Sequence, residues 1–160
     1  MDFYTADLSD EFTGRVEVCA PMFRSFGNRK RLSGPIFTVK APEDNTLVRQ
    51  ALETLPTGAV LVVDGAASMN CALLGGDLAR LAADRKLGGI VVNGCVRDSH
   101  EIAELDIGVL ALAAHPRKSQ KEGRGEKNVT VNFGGIDFVP GHYLYADSDG
   151  VLVSREELVP

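Results

Sequence analysis

Apolar residues in this chain fall into short runs broken by glycine. Ile36 to Val39 follows Gly34-Pro35 and predicts a strand. Ala59 to Val63 is an unbroken apolar run ending at Asp64-Gly65. Ile90 to Val92 is another, ending near Asn93-Gly94, and Ile107 to Leu112 predicts a further strand. Runs without polar alternation suit strands covered on both faces. Between them lies helical spacing. Asn45 to Leu55 puts Leu47, Ala51 and Leu55 on one stripe. Leu74 to Arg85 gathers Leu74, Leu78, Leu81 and Ala82, leaving Asp77 and Asp84 to solvent. Ser99 to Leu105 has room for one or two turns. Strand and helix in alternation predict an α/β fold with parallel pairing and right-handed connections.

The C-terminal third changes pattern. Thr130 to Phe133 and Ile136 to Val139 flank Gly134-Gly135, which predicts a hairpin because paired glycines tolerate the positive φ of a tight turn. Pro140-Gly141 marks another turn. His142 to Ala146 and Val151 to Val153 flank Asp147-Ser148-Asp149-Gly150, again a turn cluster. These hairpins must pack on the α/β part, since a lone hairpin is marginal in water.

Length then bounds the picture. At 160 residues and 17.1 kDa, the chain suits one compact domain spanning 1–160, large enough to fold without disulfides. The formal charge of −5 argues against a general nucleic-acid binder. Arg29-Lys30-Arg31 is short, and the basic stretch Arg117 to Lys127 is diluted by two glutamates. Cys19, Cys71 and Cys95 form no C-x-x-C pair and are odd in number, which fits a reducing, cytoplasmic setting. Met1-Asp2-Phe3-Tyr4 does not begin a signal peptide, and no run approaches the ~20 apolar residues of a membrane span.

Candidate chemistry concentrates in two segments. Gly75-Gly76-Asp77-Leu78 opens a helix, where unpaired backbone N–H groups can hold a carboxylate or phosphate. Arg97-Asp98 follows the strand Ile90 to Val92, at the end of an α/β sheet where ligands gather. Arg97 can clamp a carboxylate with its planar fork of donors. Asp98 can hold a hard divalent ion. Structural roles compete: the glycines as a turn, Asp98 with Glu101 as a capping box, Arg97 as an ion-pair residue. Glu43-Asp44-Asn45 offers metal ligands or a helix N-cap. Asp64-Gly65 sits at another strand end and can line the same crevice. His100, His115 and His142 form no metal motif, and Ser68 and the cysteines lack a base nearby in sequence. No P-loop or dinucleotide fingerprint is present.

At Arg97-Asp98 the chain resembles the family of regulator of ribonuclease activity A (RraA-like). That family overlaps in fold with 4-hydroxy-4-methyl-2-oxoglutarate aldolases, which also decarboxylate oxaloacetate. The resemblance runs from Thr5-Ala6-Asp7-Leu8 through Ser33-Gly34-Pro35, Val62-Val63-Asp64-Gly65, Ala72-Leu73-Leu74-Gly75, Gly94-Cys95-Val96-Arg97-Asp98 and Asn132-Phe133-Gly134-Gly135 to Tyr143-Leu144-Tyr145-Ala146-Asp147. It implies a swivelling β/β/α fold with mixed sheets, assembled as a homotrimer with sites between subunits. It implies Mg²⁺ or Mn²⁺ held by Asp98 and a 2-oxo acid contacted by Arg97. Gly75, Gly76, Asp77 and Leu78 hold the pyruvyl carboxylate in this reading, with Glu101 and Asp77 in supporting positions.

One position departs from the aldolase pattern, which has an aspartate where this chain has Gly76. Asp77 is one place later, and one residue on a helix turns a side chain by about 100°. The departure bears on aldol cleavage more than on metal-assisted decarboxylation. Two functions are therefore expected: a divalent-metal-dependent lyase, or a protein-binding regulator that inhibits an endoribonuclease.

Overall fold

The computed structural model describes residues 2–159. Its helices are α1 (Thr5–Glu11), α2 (Thr46–Thr54), α3 (Gly76–Asp84) and α4 (Ser99–Ile102). The strands are β1 (Val16–Val18), β2 (Arg24–Ser25), β3 (Leu32–Lys40), β4 (Val60–Asp64), β5 (Ala72–Leu74) and β6 (Gly89–Val96). They continue with β7 (Val109–Ala114), β8 (Glu126–Lys127), β9 (Val131–Phe133), β10 (Ile136–Phe138), β11 (Tyr143–Asp147) and β12 (Gly150–Ser154). One mixed sheet runs β1-β12-β11-β3-β4-β6-β7-β2, with β5 added beside β6 and β8 beside β3. Its centre, β3-β4-β6-β7, is parallel, and β11 and β12 join antiparallel. The mixed α/β architecture and both C-terminal hairpins thus match the expectation.

The apolar runs are explained by layers on both faces. All eight residues of β6 are buried. On one face α2 and α3 cover Leu61, Val63, Ile90 and Val92. On the other, the β9-β10 hairpin covers Val60, Val62 and Val91, with Phe133 stacked on Phe138 at 4.3 Å. Each large side chain taken from water here contributes roughly 2 kcal/mol. A smaller cluster seats α1, through Phe3 and Leu8, on Tyr145 and Leu152. Asp147 fixes that helix by accepting hydrogen bonds from the Thr5 N–H at 2.7 Å and Oγ1 at 2.6 Å. Among the described residues, no helix is long and apolar enough to cross a membrane.

Several boundaries differ from the periodicity. Leu74 belongs to β5, not to a helix: its buried run pairs in parallel with Cys95 and Val96, and α3 starts only at Gly76. The buried face of α2 is centred on Val48 and Leu52, one residue beyond the Leu47, Ala51, Leu55 stripe, which is only half-buried. The strand expected over Ile107 to Leu112 is β7, shifted to Val109–Ala114, and the Gly108 carbonyl just before it accepts the Ile90 N–H of β6 at 2.9 Å. The segment Ser99 to Leu105 makes a single helical turn.

Candidate functional site

Strand pairing builds the site. β5 lies parallel to the last residues of β6, with Ala72 opposite Cys95 and Leu74 opposite Val96. The Arg97 N–H donates to the Leu74 carbonyl at 2.9 Å and closes the pair. Two carboxyl-terminal strand ends therefore emerge side by side. One continues as Gly75 into α3; the other continues as Arg97-Asp98 into α4. Sequence order separates these segments, and the short β5 brings them together.

Asp98 adopts a left-handed backbone, φ 55° and ψ 41°. Aspartate tolerates this region better than most residues, and such conformations gather at functional sites. Its side chain does not cap its own helix, which corrects the capping-box alternative. Oδ2 instead accepts the Gly76 N–H of α3 at 2.9 Å. Oδ1 has no hydrogen-bond partner among the described residues. The first turn of α3 has further N–H groups, at Asp77 and Leu78, because the first helical bond runs from the Ala79 N–H to the Gly75 carbonyl. Asp98 thus takes one donor of the helix start and leaves two facing outward.

Little space remains where these groups meet. A Cβ on Gly75 would lie 3.0 Å from Asp98 Oδ2 and 3.5 Å from the Arg97 Nε. A Cβ on Gly76 would lie 2.2 Å from Glu101 Oε2. Arg97 is half-buried and forms no ion pair among the described residues, so its guanidinium is not consumed by a structural carboxylate. Asp77 borders the cleft, but its side chain is 96% exposed and leans toward Arg80 at 3.9 Å.

The cleft is lined by the predicted Gly75, Gly76, Asp77, Leu78, Arg97 and Asp98. It is also lined by Asn45, weighed in the sequence only as a metal ligand or helix cap, and by residues the sequence reading missed: Arg49, Lys118, Ser119 and Lys121. These arrive because the segment after β7 runs beside β5. The Ala72 N–H donates to the Arg117 carbonyl at 2.8 Å, and Lys118 bridges Ala72. Lys121 Nζ donates to Asn45 Oδ1 at 3.0 Å, while Asn45 Nδ2 donates to the Leu73 carbonyl at 3.3 Å. The only signal in the sequence was the basic stretch Arg117 to Lys127. Its glutamates hid that Lys118 and Lys121 face one cleft. Four basic side chains oppose two acidic ones there, in a chain that is acidic as a whole. The cleft is open and small, about 80 Å³.

Other candidates fall away. Glu43 is held by Ser68 Oγ at 2.5 Å and Asn70 Nδ2 at 2.8 Å, and these bonds lower its pKa. Asp44 is fully buried. Burial alone would raise its pKa, but bonds from Thr46, Glu122 and Arg124 bring it down to about 2. Both acids are thus committed to tethering loops rather than to a metal. Asp64 does not line the crevice; it accepts from the Ala66 N–H and Asn93 Nδ2. The cysteines are free and buried, and burial pushes Cys19 up to about 11. Among the described residues no three His, Cys, Asp or Glu side chains converge as a ligand cluster. A larger cavity, about 380 Å³, lies beside β1 and β12 and shares no lining residue with the cleft.

Comparison with known proteins gives three findings. The RraA-like family profile, described as Aldolase/RraA, matches residues 5–153. A protein of Bacillus anthracis named "Putative 4-hydroxy-4-methyl-2-oxoglutarate aldolase" is 52% identical over 96% of this chain and 97% of its own. Two solved structures superimpose over nearly all of both chains. One is described as an S-adenosylmethionine: 2-dimethylmenaquinone methyltransferase of Geobacillus kaustophilus HTA426. It is 51% identical, with a TM-score of 0.96 over 98% of this chain and 97% of that one. The other is the RNA-processing inhibitor RraA of Thermus thermophilis. It is 46% identical, with a TM-score of 0.95 over 99% and 96%.

Proposed function

Because the chain belongs to the RraA-like family of aldolases and RraA proteins, we propose that it is a lyase acting on small 2-oxo acids. Pyruvate is released from 4-hydroxy-4-methyl-2-oxoglutarate, and oxaloacetate is decarboxylated. One observation carries it. Arg97, Asp98 and the first turn of α3 meet in a basic cleft, formed where β5 and β6 end together.

The residues suit this chemistry in turn. The N–H groups of Asp77 and Leu78 receive the carboxylate beside the keto group, helped by the positive end of α3. Arg97 directs its fork at the keto oxygen. Lys121, steadied by Asn45, and Lys118 and Arg49 offer charge to a second carboxylate. When the C3–C4 bond breaks, its electron pair passes into the enolate of pyruvate. Arg97 balances the charge arriving on that oxygen. In the hydroxy acid, the C4 hydroxyl gives up its proton to water and becomes the carbonyl of a second pyruvate. In oxaloacetate, carbon dioxide leaves. In both, C3 of the enolate takes a proton from water to give pyruvate.

A divalent cation fits the donors present. Asp98 Oδ1 is free, and Mg²⁺-type ions take one or two carboxylates from a protein and complete their shell with substrate and water. Asp98 would hold the ion. When bound, it supplies Lewis-acid polarisation of the keto oxygen. The methyltransferase description of one relative suits this cleft less well. About 80 Å³ is far below the roughly 300–1,000 Å³ of sites that enclose larger ligands, and four basic residues repel a sulfonium.

The test is pyruvate release from a panel of 2-oxo acids, with a Mg²⁺ or Mn²⁺ titration, a chelator and the Asp98→Ala variant. Metal-dependent release that Asp98→Ala abolishes supports the reading. Release untouched by chelator and substitution contradicts it. A second reading, inhibition of an endoribonuclease, rests on the 46% identity to the Thermus inhibitor. Its test is slowing of the host ribonuclease at micromolar protein. The self-association implied by the resemblance is tested by light scattering.

A further inference from the structure

We infer that β1 is an edge to which an extended segment of another protein adds as a further strand, one that reads apolar–basic–apolar. The surface is remote from the lyase cleft and does not depend on it. β1 ends the large sheet, with β12 on one side and no strand on the other among the described residues. Its register sets Val16 opposite Ser154, Glu17 opposite Val153 and Val18 opposite Leu152. The phase of the ladder is given by the next residue, since the Cys19 N–H donates to the Val151 carbonyl at 2.9 Å. Bonds alternate along an antiparallel pair, so Glu17 turns its backbone groups to β12, and the N–H and C=O groups of Val16 and Val18 point outward. Outside the ladder, no backbone bond reaches either valine among the described residues.

Each face of this edge opens on a cavity. Val18 lies on the α1 side with Leu152 and is 56% exposed. There it lines a mostly apolar cavity of about 170 Å³ with Thr5, Ala6 and Leu152. Glu17 lies on the hairpin side with Val153 and lines the cavity of about 380 Å³. Successive side chains of an added strand point to opposite faces, so one enters each cavity. Peptide recognition by strand addition works this way: backbone bonds hold the segment, and pockets for alternate side chains select it.

Charge selects the occupant. In the larger cavity Arg15 is paired with Glu156. That leaves the carboxylates of Glu17 and Asp137 against Arg155 and His142. Glu17 has no ion pair among the described residues. It occupies a position where facing side chains of an antiparallel pair come closest, so a lysine or arginine opposite it is favoured. The residues flanking that cation meet Val16 and Val18 and are apolar. A second copy of this chain suits the edge poorly, because pairing β1 with itself about a two-fold axis sets Glu17 against Glu17.

The probes are labelled synthetic peptides with a Val-Lys-Val or a Val-Glu-Val centre in otherwise identical sequences. A third is the Val-Lys-Val peptide N-methylated where it would bond to β1. Binding is read by fluorescence polarisation and by amide hydrogen exchange. The Val-Lys-Val peptide is expected to bind at micromolar concentration and to slow exchange at Val16 and Val18. The Val-Glu-Val peptide is expected to bind about fivefold more weakly, and the methylated peptide not to bind. Glu17→Lys should reverse the preference between the two charges. Val18→Pro removes one outward N–H at an edge position that tolerates proline, and should weaken Val-Lys-Val binding severalfold. No binding at millimolar peptide, equal binding of both charges, or protection only away from β1 would overturn the proposal. So would self-association of the wild type that Val18→Pro abolishes, since the edge would then belong to a second copy. Should Val18→Pro fail to fold, Glu17→Lys decides: reversed preference supports the proposal, and unchanged preference overturns it.

Discussion

Asp98 divides its side chain: Oδ2 accepts the N–H that opens α3, and Oδ1 has no hydrogen-bond partner among the described residues. Asp98→Asn keeps the shape but removes the charge, and is expected to lower turnover by roughly 10²–10³-fold in the pyruvate assay. Arg97→Lys keeps the charge but loses the planar fork, so a fall of similar size is expected, mainly in kcat. Both candidates could be picked out from the sequence, by their place after a buried strand, where α/β sheets gather ligands, and by the family resemblance. The meaning of Gly76 could not. Its missing side chain looked like a lost carboxylate, yet the volume is filled by Glu101, a contact that only tertiary structure creates.

Elements explain what else was hidden. β5 has only three residues, and Ala72, Leu73 and Leu74 are as apolar as the stripe of α3 that follows. Periodicity cannot separate a short buried strand from the start of a buried helix. The loop carrying Lys121 was hidden for another reason: its anchor, Asp44, lies far away in sequence. Asp44 is buried and accepts the N–H groups of Glu122 and Arg124. Asp44→Asn would leave donors poorly paired and is expected to cost about 2 kcal/mol at neutral pH. The sign of its pH dependence follows from a folded pKa near 2, below the ordinary 3.8. The contribution is full above the unfolded value and fades as pH falls from about 4 toward 2. Urea melts of both proteins across that range should therefore converge at the acid end. A constant gap would contradict the tether.

At the scale of the molecule, the parallel centre of the sheet was legible because its runs are covered on both faces. The close approach of distant segments was not. Gly27 passes so near Ile107 that a Cβ would stand 1.9 Å from its carbonyl oxygen. Gly27→Ala is expected to lower stability by about 2–3 kcal/mol, read by thermal melting. Charge is also uneven across the whole. An acidic chain of −5 holds a basic cleft, so attraction of a dianionic substrate is local and screened by salt. KM for oxaloacetate should rise severalfold between low and high ionic strength, and less so in Lys118→Ala/Lys121→Ala.

In the proposed lyase a cation and a 2-oxo acid meet between Asp98, Arg97 and the start of α3. Anomalous diffraction from crystals grown with Mn²⁺ and oxalate, a mimic of the pyruvate enolate, is the sharpest test of that meeting. One strong peak is expected within bonding distance of Asp98, with oxalate between Arg97 and the N–H groups of Asp77 and Leu78. Ordered oxalate and manganese elsewhere, or neither in the cleft at saturating concentrations, would contradict it.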